Sequence, residues 1–132
     1  MSPDGFELRR IGVIESPLTD LGAAPKQGRE GGAEAWIALD DDMRDGLDGV
    51  TAGDRLLVLT WLHLGDRDVL RVHPRDDGSN PLRGVFGTRS ASRPNPIGLH
   101  EVEVLEIDGG RLRVAPIEAL DGTPVVDLKP VI

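Results

Sequence analysis

Cysteine and tyrosine are absent from this 132-residue sequence, which contains only two Phe and two Trp as other large aromatic residues. Without cysteine the chain forms no disulfide and offers no thiolate ligand, a composition that fits the cytoplasm. The three histidines are scattered, so no metal site is predicted. The core is therefore expected to be aliphatic, and surfaces on which a base could stack are scarce.

Long apolar runs and an excess of positive charge are also missing. No apolar stretch approaches the roughly 20 residues of a membrane-spanning helix, and residues 1–10 lack a secretory pattern, so no membrane contact is predicted. Fifteen basic and 23 acidic side chains give a net charge of −8. Because nucleic acid repels such a chain, contact with RNA is expected only through a local basic patch.

Turn-forming residues are abundant, with 17 Gly and ten Pro, and no long helical pattern occurs. This composition predicts a mainly β fold, an antiparallel barrel or sandwich of about six to eight strands with short helical turns. Residues 1–7 are predicted to be a loose leader and residues 8–132 a single domain. The predicted strands cover residues 8–14, 34–39, 55–63, 69–73, 83–88, 99–107 and 111–114, and VVDLKPVI closes the chain.

Three local features refine this prediction. Residues 69–73 are expected to form a hairpin with the apolar strand 55–63. The apolar alternation after residue 99 slips at Leu105, which indicates a bulge or a twist. The acidic residues 40–45 suit a short helical turn on a solvated face, since they lack the partners of a metal site.

The most distinctive stretch is residues 84–99, GVFGTRSASRPNPIGL. Pro94 and Pro96 restrict the backbone around them. Arg89 and Arg93 therefore stand on a stiff loop, and two guanidinium groups there suit a carboxylate or a phosphate. From these residues alone, a hairpin connection with surface arginines is an equally good interpretation.

Four blocks together resemble one family. They are Ile11-Gly12-x-Ile14-x-Ser16-Pro17, then Pro25-Lys26-Gln27, then TRSASRPNPIGL, and finally VVDLKP. In this order they resemble the TsaA-like (TrmO) family of S-adenosylmethionine-dependent tRNA methyltransferases, over the chain from Ile11 onward. The resemblance implies a small β-barrel that binds S-adenosylmethionine and selects the barrel over the sandwich.

The resemblance also implies which residues touch the methyl donor. These are Pro25, Lys26, Gln27, His63, Leu64, Arg89, Leu99, Asp121, Gly122, Thr123 and Pro124. Arg89 would pair with the donor carboxylate. Backbone groups near Leu99 and Gly122 would read the adenine, and Asp121 or backbone carbonyls would lie near the sulfonium.

Asp127 and Lys129 match the closing block of the family and are the candidate catalytic residues. Two residues apart on an extended segment, they point to the same side and would orient each other or the acceptor. A surface ion pair is the plainer interpretation. Val131 stands where the family has an aromatic residue, and the sequence stops at Ile132 without a C-terminal extension, so the acceptor side is expected to differ.

Three functions follow from the resemblance. The family acceptor is threonylcarbamoyladenosine beside the tRNA anticodon, methylated on its exocyclic nitrogen. Alternatively, the same donor serves a small-molecule acceptor, or the chain is a nucleoside-binding module without catalysis.

The predicted RNA patch comprises Lys26, Arg29, Arg83, Arg89, Arg93 and Lys129, whereas Trp36, Trp61 and Phe86 are expected in the core. A homodimer is expected from the resemblance.

Overall fold

A computed structural model describes residues 5–17, 33–74 and 77–132 of the chain. These residues form two compact units: the barrel unit, in residues 1–60 and 99–132, and the inserted unit, residues 61–98. The strands are β1 (Gly12–Glu15), β2 (Ala35–Leu39), β3 (Arg55–Trp61), β4 (Arg71–Val72), β5 (Arg83–Gly84), β6 (Ile97–Asp108), β7 (Arg111–Ala115) and β8 (Pro124–Pro130). Two 3-10 helices span Asp41–Leu47 and Val85–Gly87.

The barrel unit is a closed six-stranded sheet with the order β1-β2-β7-β6-β3-β8. β1 pairs antiparallel with β2 on one side and with β8 on the other, which completes the closure. Alternate residues of each strand point inward, as the period of two in a strand requires. The predicted small β-barrel with short helical turns is confirmed.

The barrel interior is aliphatic, as the composition predicts. Its buried residues come from all six strands and from the segment before β8. The fully buried ones include Ile14, Ile37, Val58, Val102, Val104, Leu112, Val114 and Val125. Burial of this apolar surface, worth roughly 25 cal/mol for each Å² removed from water, is the main stabilising contribution.

The predicted hairpin between residues 55–63 and 69–73 is wrong. β4 instead pairs with β5, through Arg71 with Gly84 and Val72 with Arg83. The physical reason is that β3 lies between β6 and β8 in the closed barrel, so neither of its edges is open to a further strand.

Two strand boundaries and one core assignment also differ from prediction. β1 begins at Gly12 rather than residue 8, and the strand predicted over 83–88 turns into a 3-10 helix after Gly84. Phe86, expected in the core, is 79% exposed because that helix directs only Val85 inward. Trp36 and Trp61 are half-buried rather than enclosed.

The predicted bulge and helical turn are confirmed. In the pairing of β6 with β7, Val104 lies opposite Val114 and Glu106 opposite Arg113, which leaves Leu105 as the extra residue. The acidic segment forms the 3-10 helix Asp41–Leu47. No helix within the described ranges 5–17, 33–74 and 77–132 is long and apolar enough to cross a membrane.

Gly12 has a packing role that only glycine fills. A methyl group on its α-carbon would lie 2.5 Å from the carbonyl oxygen of Ala38 and 2.9 Å from the α-carbon of Leu39. Both of these atoms belong to the backbone of β2, which cannot rotate away. The short strand β1 therefore approaches β2 only because position 12 has no side chain.

We predict that Gly12→Ala lowers the free energy of unfolding by about 1–3 kcal/mol, because the added methyl group forces β1 away from β2. Urea unfolding of the two proteins measures the difference. The matched control is Gly46→Ala, since an added methyl group there meets nothing within 4 Å. Equal losses in the two variants would contradict the packing role of Gly12.

A buried polar pair connects β3 and β6. The hydroxyl of Thr60, with 0% exposure, lies 3.1 Å from Nε2 of His100. Burial lowers the pKa of His100 below its ordinary value, because the charged ring loses hydration inside the barrel wall. His100 thus takes part in the packing between β3 and β6, and its burial favours the neutral ring.

This lowered pKa makes stability depend on pH. The unfolded chain binds a proton at His100 more readily than the folded chain, so the free energy of unfolding rises with pH. We predict that its contribution is lost as the pH falls from about 7 to about 5. Urea unfolding at several pH values tests this, with His100→Gln as the non-titrating variant. If both proteins lose stability equally over that range, His100 is not responsible.

Candidate functional site

The predicted donor-binding residues lie on both units. Pro25, Lys26 and Gln27 fall outside the described residues. His63 and Leu64 follow β3, and Arg89 follows the 3-10 helix Val85–Gly87. In the barrel unit, Leu99 is the third residue of β6, while Asp121, Gly122 and Thr123 form a turn that leads into β8 at Pro124.

In the inserted unit, the turn with His63 and Leu64 lies against the segment that follows Arg89. The Leu62 N–H donates to the carbonyl oxygen of Pro96 at 2.7 Å. A methyl group on Gly65 would overlap the carbonyl oxygen of Ala91. The structure therefore brings the His63-Leu64 pair and the arginine-containing segment together through backbone contacts.

Arg67 joins the same two segments through its side chain. Its Nε donates to the carbonyl oxygen of Pro94 at 2.8 Å, and its Nη2 donates to Oδ1 of Asn95 at 3.3 Å. The guanidinium also stacks over the Trp61 ring, 5.2 Å from the ring centre. This role of Arg67 was not predicted from the sequence, because nothing in the spacing of Arg67 relates it to Pro94.

The two arginines of the motif have different roles. Nη1 of Arg93 donates to the carbonyl oxygens of Thr88 and Ser90, each at 3.0 Å. Arg93 therefore folds the loop, and the prediction that it serves as a free cation is wrong. Arg89 is exposed, and its guanidinium has no hydrogen bond or ion pair within the part of the chain that the structure describes.

In the barrel unit, the turn of Asp121 is fastened to the end of β1. Oδ1 of Asp121 accepts a hydrogen bond from the Ser16 N–H at 3.0 Å. The Gly122 N–H donates to the carbonyl oxygen of Ile14 at 2.8 Å, and Gly122 adopts a φ of 85°. The hydroxyl of Thr123 donates to the carbonyl oxygen of Leu120 at 2.7 Å. These contacts fix the turn before any ligand arrives.

A hollow of about 410 Å³ opens beside this turn. The end of β1, the start of β2, Arg113 and Asp121 line it. The Trp36 indole at its wall is stacked beneath the Arg111 guanidinium, 4.4 Å from the ring centre. Hydrogen bonds from Arg113 to Glu34 and Glu106 raise the pKa of Arg113, so this arginine stays charged.

Asp127 and Lys129 form an ion pair on β8, with 3.1 Å between Oδ2 and Nζ. The second oxygen of Asp127 accepts the Leu128 N–H at 2.9 Å. Both side chains are about half exposed. The pair is therefore held in one orientation, but Lys129 is not a free cation for RNA as the sequence predicted.

Three of the acidic residues between 40 and 45 are neutralised by arginine rather than by a metal. Asp40 pairs with Arg10 at 3.0 Å, and Asp42 pairs with Arg9 at 2.9 Å. Asp41 pairs with Arg44 three residues later. Across residues 5–17, 33–74 and 77–132, no group of three or more His, Asp or Glu side chains is arranged to hold a metal ion.

One polar group beside the turn was missed in the sequence. Oε1 of Glu118 is buried and has no hydrogen-bond partner among the residues that the structure describes. Glu118 belongs to none of the recognised motif blocks, so only its surroundings in the fold make it visible. A buried carboxylate oxygen without a partner is rare in folded proteins.

Comparison with known proteins places the chain in a family. Residues 13–132 match the model of the tRNA-methyltransferase O N-terminal domain. A probable S-adenosyl-L-methionine-binding protein of Methanothermobacter thermautotrophicus is 46% identical over 98% of this chain and 93% of its own length. The tRNA (adenine(37)-N6)-methyltransferase of Escherichia coli is 36% identical over 95% of this chain and 57% of its own length.

A solved structure gives the same result. The crystal structure of TrmO from Pseudomonas aeruginosa superposes with a TM-score of 0.77 at 28% identity, covering 99% of this chain. This chain spans only 56% of that protein's length. The family predicted from the sequence motifs is confirmed: the chain belongs to the TrmO family, that of the tRNA-methyltransferase O N-terminal domain.

Proposed function

We propose that this chain transfers the methyl group of S-adenosylmethionine to the exocyclic nitrogen of threonylcarbamoyladenosine beside the anticodon in tRNA. The observation that carries the proposal is the exposed guanidinium of Arg89, which has no partner among the described residues and lies on a loop whose other arginine, Arg93, donates to carbonyl oxygens of the loop itself. Family membership supports the choice of donor and reaction.

The residues present fit the donor. S-adenosylmethionine supplies a methyl group activated by a positive sulfur. Arg89 is available for the donor carboxylate. The turn at Asp121 and Gly122 is pre-formed, so its backbone groups can bind the adenine without further ordering. His63, Leu64, Leu99, Thr123 and Pro124 would complete the contacts, together with Pro25, Lys26 and Gln27.

The uneven charge of the chain supports tRNA as the acceptor. Residues 61–98 contain six Arg and four Asp, which give this unit a formal charge of +2. Since the whole chain carries −8, the rest of the chain carries −10. In the inserted unit, Arg71, Arg83 and Arg89 are exposed and have no ion-pair partner within the described residues. This unit therefore provides the local basic patch that an acidic protein needs to bind RNA.

Asp127 and Lys129 are proposed to orient the acceptor. Their ion pair fixes both groups on β8, where Asp127 lies opposite Leu59 and Lys129 opposite Leu57. The carboxylate of Asp127 can accept the hydrogen of the acceptor nitrogen, and the contact with Lys129 keeps that carboxylate aligned. Val131 beside them leaves the acceptor without the aromatic residue that the family has there.

A small-molecule acceptor is the second candidate. It is favoured by the −10 charge outside the inserted unit and by the absence of tyrosine as a stacking surface. The M. thermautotrophicus relative is named for donor binding alone. A nucleoside-binding module without catalysis is the remaining alternative.

We also propose that residues 8–132 act as one domain, in the cytoplasm, as a homodimer. The support for a dimer is the exposure of apolar side chains in the inserted unit: Leu64 is 61% exposed, Leu70 62% and Phe86 79%. A second copy of the chain would cover such surface. Light scattering measures the mass in solution.

We predict that Arg89→Ala weakens binding of S-adenosylmethionine by about 1.5–3 kcal/mol while the melting temperature stays unchanged. The reason is that Arg89 has no partner in the ranges 5–17, 33–74 and 77–132, so its loss removes only a ligand contact. Isothermal titration calorimetry measures the affinity. The matched control is Arg71→Ala, an exposed arginine of the same unit, and equal affinities in all three proteins would remove Arg89 from the site.

The acceptor is tested by incubating the protein with S-adenosylmethionine and tRNA that carries threonylcarbamoyladenosine. We expect methylation of that nucleoside, detected by mass spectrometry of the digested tRNA, and none with tRNA lacking the modification. If the donor binds but neither tRNA is methylated, a small-molecule acceptor replaces tRNA in the proposal.

The basic patch gives a separate prediction for RNA binding. Arg71→Gln combined with Arg83→Gln should weaken tRNA binding and reduce the slope of log K against log[salt] by about 1–2, since each phosphate contact contributes roughly 0.7–0.9. Filter binding at several salt concentrations measures the slope. In the control Arg55→Gln the slope should not change, because Arg55 is paired with Glu101 at 2.6 Å. An unchanged slope in the double variant would place the RNA contact elsewhere.

A further inference from the structure

The segment before the Asp121 turn is held at both ends. The Ile117 N–H donates to the carbonyl oxygen of Ala33 at 2.9 Å, just before β2. At the other end, Asp121 accepts the Ser16 N–H, just after β1. Residues 117–121 therefore run from the start of β2 to the end of β1, along the same end of the barrel at which the 410 Å³ hollow lies.

Glu118 lies in the middle of this fixed segment. Its neighbours Ile117 and Ala119 are 2% and 5% exposed and belong to the barrel core. Their alternation directs the Glu118 side chain away from that core. Its Oε1 is nevertheless buried, and it is the one side-chain oxygen or nitrogen of the described residues that is buried without a hydrogen-bond partner.

Such an atom requires an explanation, because a carboxylate that loses water without gaining a partner costs free energy. No arginine, lysine or histidine among the described residues forms an ion pair with Glu118, although eight other carboxylates in the barrel unit have such a partner. Glu118 is thus a carboxylate with one buried oxygen and no cation among the described residues, and it lies three residues before the turn assigned to the donor.

We propose that Glu118 is the partner of the α-ammonium group of S-adenosylmethionine. This inference rests on the proposed function. The resemblance assigns the donor carboxylate to Arg89 and the adenine to backbone groups near Leu99 and Gly122, but it assigns no residue to the ammonium. An ammonium group donates up to three hydrogen bonds. It also carries the positive charge of the partner that the buried oxygen of Glu118 lacks.

Binding of two ligands to Glu118→Gln tests the proposal. S-adenosylhomocysteine has the ammonium group, whereas 5′-methylthioadenosine has the same nucleoside without the amino acid. We expect calorimetry to show a dissociation constant for S-adenosylhomocysteine that is about 10- to 100-fold larger in the variant, because a charge-assisted hydrogen bond is lost. The affinity for 5′-methylthioadenosine should be the same in variant and wild type.

Thermal unfolding without ligand distinguishes this role from a structural one. If Glu118 has no partner in the free protein, Glu118→Gln leaves the melting temperature equal or higher, since a buried amide costs less than a buried charge. The control Glu103→Gln removes an exposed carboxylate of β6 and should change neither binding nor melting.

Three results would overturn the proposal. One is an unchanged affinity of Glu118→Gln for S-adenosylhomocysteine, and another is an equal loss for both ligands, which would place Glu118 against the nucleoside. The third is a lower melting temperature with normal affinity, which would make Glu118 structural. The proposed function fails separately, when the wild-type protein itself binds no S-adenosylhomocysteine.

Discussion

Closure of the barrel depends on β1, a strand of only four residues. Gly12 is paired on both sides, with Leu39 of β2 and with Val125 of β8. A closed sheet has no open edges only while this strand is in place. The strand fits because Gly12 has no side chain to collide with the backbone of β2. The opening block of the family motif is therefore explained by packing rather than by chemistry.

The same strand organises the end of the barrel where ligands are proposed to bind. Ile14 accepts a hydrogen bond from the Gly122 N–H, and Ser16 donates one to Asp121. Hydrogen bonds to the end of β1 and to Ser16 thus hold the turn before β8 in place before any ligand is present. Oδ1 of Asp121 therefore fastens the turn. The expected position of Asp121 near the sulfonium stays a prediction.

The inserted unit contains arginines of two kinds: some hold the backbone of the motif segment, and others are available to bind an anion. Arg67 and Arg93 donate to backbone carbonyl oxygens of the motif segment, so they hold the loop that Pro94 and Pro96 already restrict. Arg89 remains without a partner among the described residues. A guanidinium that is exposed on a loop fixed by its neighbours can bind an anion with little loss of conformational entropy. The motif therefore combines one available guanidinium with the residues that position it.

The sequence predicted the fold class well, because its signals are local. Alternation, turns and the slip at Leu105 depend on near neighbours, and motif order identified the family. It failed where the answer depends on distant segments. The partner of β4 was wrong because closure of the barrel decides which edges of β3 are open. The roles of Arg93 and Glu118 were likewise invisible, since each depends on carbonyl oxygens or burial that only the folded chain creates.

The distribution of charge reconciles an acidic protein with the anionic substrate that is proposed for it. In the barrel unit, the described arginines from Arg9 to Arg113 are each paired with carboxylates, so they contribute little field beyond the surface. The inserted unit keeps three exposed arginines without such partners among its described residues. Net charge sets the long-range repulsion, which salt screens beyond about 8 Å at physiological ionic strength. Unpaired arginines determine the contact itself, so recognition of RNA is governed by where cations are left free rather than by the total of −8.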